Sequence, residues 1–168
     1  MIRSAIRLVL LTMLVGGGSL EAQGPPGPRP PGGGRPLRVD AQQALDFGEL
    51  LGGLPQVVPA NDPINAGRMQ VSGQGGSDVL VSFLLPTALD GPGNAAVPLV
   101  FGPGAAGYSA TQDIDGQLAF DPSISNVFTL PQNGRGTLYL GGTAIPPAQA
   151  VVGSYAATIT LTISYVGN

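Results

Sequence analysis

The chain has no cysteine, histidine or tryptophan, and its seven basic residues are all arginine, so lysine is absent too. Without cysteine there is no disulfide and no thiolate ligand. Without histidine there are no imidazole metal sites and no Ser-His or Cys-His catalysis, and without lysine there is no Schiff-base chemistry. Charge is scarce, at 10% of the 168 residues, against about 25% in an average soluble domain. A formal net charge of −3 offers no basic surface to neutralise phosphates, so nucleic acid is not expected as a partner. Long apolar runs are missing as well. Beyond the first two dozen residues no uninterrupted stretch approaches the roughly 20 apolar residues that a membrane-spanning helix needs.

What the chain does have is glycine and proline, 27 and 17, about a quarter of its length and close to the level of low complexity. It also has 43% hydrophobic residues, more than a disordered chain carries. The two compositions are segregated, which divides the chain into three parts.

Residues 1–22 have the layout of an export signal. Arg3 and Arg7 give a positive start, Leu8 to Val15 (LVLLTMLV) is an uncharged apolar run, and Gly16-Gly-Gly-Ser19 interrupts it before Leu20-Glu-Ala22. Cleavage is expected after Ala22. The rival reading, a retained anchor, asks for an apolar run more than twice as long. The chain is thus expected in the periplasm, on the cell surface or outside the cell, with five arginines, nine acidic residues and a net charge of −4 once the signal is gone.

Residues 23–37 form a linker whose centre, GPPGPRPPGGGRP (24–36), is glycine and proline broken only by Arg29 and Arg35. It has no apolar side chain whose burial would offset its ordering entropy. The Gly-X-Y spacing lapses after a few residues, so the linker reads as a disordered tether and not as collagen.

Residues 38–168 form the folded domain. Short apolar runs alternate with clusters of Gly, Pro, Asn and Asp that have turn chemistry. The candidate strands are Ala44–Leu51, Gly67–Val71, Asp78–Leu85, Val97–Phe101, Gly116–Phe120, Asn126–Leu130, Gly136–Leu140 and Tyr155–Val166. No window after the signal carries a helical apolar stripe. Short strands without crossover helices imply an all-β domain with antiparallel sheets, a sandwich or a barrel. The last run is the clearest. Tyr155, Ala157, Ile159, Leu161, Ile163 and Tyr165 alternate with Thr158, Thr160, Thr162 and Ser164. One face is therefore apolar and the other hydroxylated, and register is well specified.

Three stretches carry a resemblance. They are Leu45-Asp-Phe-Gly48, Gly136-Thr-Leu-Tyr-Leu-Gly-Gly142, and the closing Gly153-Ser-Tyr155 through Tyr165-Val-Gly-Asn168. In this order, over roughly residues 39–168, they resemble the bacterial secreted family called domain of unknown function 4402. More loosely, the ending looks like subunits of chaperone–usher pili and of spore-coat-protein-U-like proteins. The resemblance implies an immunoglobulin-like β-sandwich serving as a surface or fibre subunit. Its partners would be copies of itself, other surface subunits or a periplasmic chaperone. Two features depart from the pilins: there is no cysteine, and the place of their apolar donor strand is taken by the Gly/Pro tether, with only Leu37-Arg-Val39-Asp-Ala41 alternating.

Catalysis has little to work with, and the expectation is a non-enzymatic protein with no cofactor or metal. Asp113 and Asp115, in Gln-Asp-Ile-Asp-Gly116, would share a face if they lay on a strand. Asp-Gly is equally a turn dipeptide, and the loop lacks the further acidic ligands of a calcium site. Asp46 reads as a solvated or turn-bonded carboxylate, and Arg68 and Arg135 as solvated loop positions. The functional expectation is β-strand addition along the last strand, at Tyr155, Ile159, Leu161, Ile163 and Tyr165. The alternative is a module that binds glycan or protein through the loops Asp90–Asn94 and Gly102–Ser109, with Tyr108 as its exposed aromatic.

Overall fold

A computed structural model describes residues 34–166 together with two short strands nearer the N-terminus, Ser4–Ile6 and Leu11–Met13. Apart from those two strands, the export segment 1–22 and the linker up to residue 33 lie outside the described residues. In chain order the strands are β1 (Ser4–Ile6), β2 (Leu11–Met13), β3 (Arg38–Gln43), β4 (Gly48–Leu50), β5 (Gln56–Val58), β6 (Gly67–Ser72), β7 (Asp78–Leu84), β8 (Ala88–Asp90), β9 (Ala96–Val100), β10 (Ala106–Ser109), β11 (Leu118–Phe120), β12 (Asn126–Thr129), β13 (Arg135–Leu140), β14 (Gly142–Ala144) and β15 (Ile159–Tyr165). Among the described residues there is no α-helix, only a 3-10 turn at Pro92–Asn94. The domain is all-β, as its spacing of apolar runs and turn clusters implies.

The strands form a five-stranded sheet, β11-β10-β13-β6-β3, a four-stranded sheet, β12-β7-β15-β2, and a third sheet, β5-β14-β9-β8. β1 pairs only with β4. All pairings are antiparallel except that of β2 with β15. The first two sheets lie face to face. β6 shows why: Gly67-Arg-Met-Gln-Val-Ser72 alternates, with Met69 and Val71 buried and Arg68, Gln70 and Ser72 half-buried on the outside. Opposite them, Val79 and Val81 of β7 and Ile159, Leu161 and Ile163 of β15 face inward, and all are buried. Burial of one side chain of this kind contributes about 1.5–3 kcal/mol, and this apolar layer stands in for the absent disulfides.

Aromatic rings close one end of the core. Tyr108 of β10 stacks on Phe128 of β12 with centroids 4.6 Å apart, and Phe120 of β11 lies 4.9 Å from Phe128. Glycine is required at Gly136 of β13, because a Cβ there would stand 2.6 Å from Cε2 of the Tyr108 ring. β13 runs through Gly141 into β14 and so carries the chain from the five-stranded sheet into the third.

Several expected strands are present with shifted ends, and one, Ala44–Leu51, forms only in its second half as β4. Residues 44–47 of the expected Ala44–Leu51 strand are irregular. Leu45 and Phe47 are buried, but the Asp46 carboxylate between them accepts a hydrogen bond from the Gly48 N–H at 2.8 Å and turns the chain. This is a local side-chain-to-backbone bond competing with the ladder. β3 precedes that segment and pairs with β6 through a bulge between Ala41 and Gln43. The last strand is shorter than expected: Tyr155–Thr158 contribute only a bridge from Ala156 to Asp90. β3, β5, β8, β10 and β14 lie outside every expected strand.

Candidate functional site

The strand with the most regular pattern lies next to the edge of its sheet, between β7 and the outermost β2. β15 pairs on one side with β7, from Thr160 opposite Leu84 to Tyr165 opposite Val79. Its other side meets β2 in parallel, at Ile159, Thr160 and Leu161 only. Among the described residues no strand pairs with that side from Thr162 to Tyr165. Tyr155, Ile159, Leu161 and Ile163 are buried and Tyr165 is half-buried, while Thr158, Thr162 and Ser164 are exposed. The expected alternation is therefore present over the whole run. The apolar side chains are committed to this chain's own core, so what the edge offers outward is backbone N–H and C=O.

The far end of β15 is anchored. The Tyr165 hydroxyl donates to the Arg35 carbonyl and accepts from the Gln74 N–H at 2.6 Å. These bonds tie the end of the last strand to the residues before β3 and to the β6–β7 turn. A cleft of about 430 Å³ opens beside this anchor, lined by Gly34, Gln74, Gly76, Ser77, Asp78, Tyr165 and Val166. Its one carboxylate, on Asp78, already accepts the Thr129 hydroxyl at 2.6 Å.

Tyr108 is not the exposed aromatic expected of a binding loop. It is 8% exposed, points inward from β10, and donates its hydroxyl to the Thr129 carbonyl at 3.0 Å. Burial pushes its pKa above the ordinary tyrosine value. The stretch Gly102–Ser109 is likewise not a loop throughout, since Ala106–Ser109 is β10, inside the five-stranded sheet and buried at every position. Asp90–Asn94 is a tight turn, with Gly91 N–H donating to the Ala95 carbonyl at 2.8 Å.

Arg68 is a strand residue, not a solvated loop residue. It sits opposite Tyr139 in β6, and its Nε is buried without a hydrogen-bond partner. Arg135 is exposed at the start of β13. Asp113 and Asp115 are exposed and not on a strand. The Asp115 N–H donates to the Asp113 carboxylate at 3.1 Å, so the pair is a turn closing on itself. Among the described residues no three acidic groups converge to hold a metal ion, and no helix is long and apolar enough to cross a membrane.

Sequence reasoning missed a strap. The β10–β11 connection, residues 110–117, folds back over the outer face of its own sheet. Tyr139 donates its hydroxyl to the Gln112 carbonyl at 3.1 Å, Gln117 Nε2 donates to the Ile114 carbonyl at 2.8 Å, and the Gln117 side chain covers Gly107. Ser109, Thr137 and Tyr139 are buried beneath it, although the alternation turns them away from the core. The only sequence signal was a polar loop between two apolar strands, which does not reveal where the loop lies. No protein-family model and no curated protein matches the chain.

Proposed function

We propose that the chain is an exported, non-catalytic structural domain of the bacterial surface, an immunoglobulin-like sandwich of the kind its three motifs resemble. It works by accepting a strand along the outer edge of β15. The observation that supports this reading is that this edge takes an added strand: Leu11–Met13 runs beside Ile159–Leu161. Removal of residues 1–22 would take that strand away and leave the edge unpaired from Ile159 to Tyr165. Main-chain hydrogen bonds would then supply affinity for an incoming segment. An unprotected edge of this length is otherwise an aggregation hazard.

The loop-binding alternative has lost its aromatic, since Tyr108 lies inside the sandwich. The test uses the exported chain, concentrated and run on a detergent gel without boiling, alongside amide hydrogen exchange of β15. Strand addition predicts a heat-resistant ladder and slowed exchange at alternate amides between Ile159 and Tyr165 as assembly proceeds. Monomer at every concentration, with β15 exchange unchanged, would remove the reading.

A further inference from the structure

Across β5, β14 and β9 the third sheet is largely apolar on both of its faces. Inward, Val58 of β5, Ala144 of β14 and Leu99 of β9 are buried. Outward, Val57 pairs across to Thr143, and Thr143 to Val100, so these three form one row. Two residues further along, Pro55, Ile145 and Pro98 form the next row, with the Ile145 N–H donating to the Pro98 carbonyl at 2.9 Å. Val57 is 60% exposed, Val100 50% and Ile145 40%, and both prolines are exposed. The turn leading into β5 borders this grid, held to Pro146 by the Gly53 N–H at 3.0 Å. It adds Leu51 and Leu54, at 57% and 59% exposed. A strand that is apolar on both faces is the pattern of a sheet covered on both sides, yet within the described residues only the inner side is covered.

We infer that this outer face is where a second copy of the chain packs, sheet against sheet, about a two-fold axis. Charge carries the choice of occupant. No charged residue occurs between Glu49 and Asp62, between Asp90 and Asp113, or after Arg135, so β5, β9, β14 and their turns have none. The outer face of the five-stranded sheet, by contrast, carries Arg38, Asp40, Arg68 and Arg135. Two copies, each of net charge −4 after export, meet without like-charge repulsion over β5, β14 and the Val100 end of β9, with the sheet's one carboxylate, Asp90, left at the rim on the edge strand β8. The same negative charge, with exposed Asp90 on the outward face of the edge strand β8, disfavours an anionic membrane. Residues 23–33 offer no apolar side chain apart from proline to bury against the face. The five exposed side chains, each 40–60% exposed, make a patch of a few hundred Å², on the order of the largest patches on monomers. That is less than the roughly 800 Å² one partner contributes to a standard interface, with the prolines, Thr143 and backbone left to supply the rest. A face that meets its own copy forms a closed, isologous dimer.

Sedimentation equilibrium of the exported chain from about 1 µM to 1 mM tests this directly. The expected result is a monomer–dimer equilibrium. Val100→Glu and Ile145→Glu, both at exposed positions and each checked for an unchanged circular dichroism spectrum, should each weaken it at least tenfold. Gln70→Glu on the outer face of the five-stranded sheet should leave it unchanged. A monomer throughout the range, or a dimer indifferent to both substitutions, overturns the inference. So does a monomer that binds neutral phosphatidylcholine vesicles and loses that binding with Val100→Glu. Association through β15 would persist in both variants and survive detergent, so the two kinds of assembly are distinguished.

Discussion

The outer faces of the five-stranded sheet and of the third sheet are opposites. On the first, Asp40 pairs with Gln70, Gln70 with Thr137, and Thr137 with Ser109, a polar row across four strands. Part of it is roofed by the strap 110–117 of the same chain. On the second, Val57, Val100 and Ile145 are bare. The polar face has a cover it does not need for apolar burial, whereas the apolar face has none within the described residues. A sheet's inner face reports on stability within one chain, and an uncovered apolar outer face reports on contact with something else.

The largest effect that would sharpen this contrast comes from trimming one side chain inside and one outside. Leu138, at 0% exposure, points from β13 into the core, while Val100 is half exposed on the third sheet. Leu138→Ala should cost about 2–5 kcal/mol through lost burial and a residual cavity. Val100→Ala should stay within about 0.5 kcal/mol, as surface changes usually do. Urea unfolding at concentrations where the chain is monomeric would measure both. A Val100→Ala cost comparable to that of Leu138→Ala would mean that the third sheet is covered within the monomer, and the comparison would fail.

The strap comes next. Tyr139→Phe removes the hydroxyl bond to Gln112, which is worth about 0.5–1.5 kcal/mol, and should speed proteolytic cleavage within residues 110–117. Burial raises the Tyr139 phenol above its ordinary value, with Arg68 lowering it and Asp113 raising it less strongly, and burial also raises Tyr108. For groups whose folded pKa is raised, the associated stability is complete below the unfolded value near 10 and is lost as pH climbs through the folded value. Unfolding midpoints should therefore fall above pH 10, and less steeply in Tyr139→Phe. Midpoints unchanged from pH 9 to pH 11 would contradict burial of both phenols.

Much of the inner architecture was legible because water on one face imposes alternation. Residues 155–165 read correctly as one apolar and one hydroxylated face, and Gly67–Val71, Asp78–Leu85 and Asn126–Leu130 lie within a residue or so of β6, β7 and β12. The misses have physical causes. β10 reads Ala-Gly-Tyr-Ser, where the small Ala106 and Gly107 resemble a loop. They are small because the core presses on Ala106 and the strap's Gln117 on Gly107. β5 and β14 are brief and edged by proline or glycine, so turn chemistry outweighed strand pattern. β3 keeps one side chain fully inside, Val39. Ala44–Leu51 had the right apolar spacing, but Asp46 competed with the ladder. The alternation of β15 was visible in the sequence; the bare third sheet was not, because long-range pairing decides which of two apolar faces points inward.

The smallest expected effect lies where the chain passes from the apolar-faced sheet to the polar-faced one, in the turn between β5 and β6. Asp62 accepts the N–H groups of Ile64 and Asn65 at 2.8 and 2.9 Å and the Asn65 side-chain amide at 2.9 Å. The Asn65 side chain, followed by these backbone donors, holds its carboxyl below the ordinary aspartate value. The turn then reaches back to the other end of the molecule's polar face, with the Asp46 N–H donating to the Asn65 carbonyl at 2.9 Å and Gln43 Nε2 to the Ile64 carbonyl at 2.8 Å. For a depressed carboxylate the contribution is present above the unfolded pKa and disappears as pH falls through the folded one. Acidification below pH 4 should therefore loosen this turn, seen by NMR as Asp62 titrating below a denatured reference while Ile64 and Asn65 amide exchange accelerates. Asp62→Asn should abolish that acid response and leave the β5–β14–β9 pairing intact. If the substitution instead exposed β5 amides to exchange, the two sheets would be one cooperative unit through this turn, and their contrasting outer faces could no longer be treated as separate surfaces.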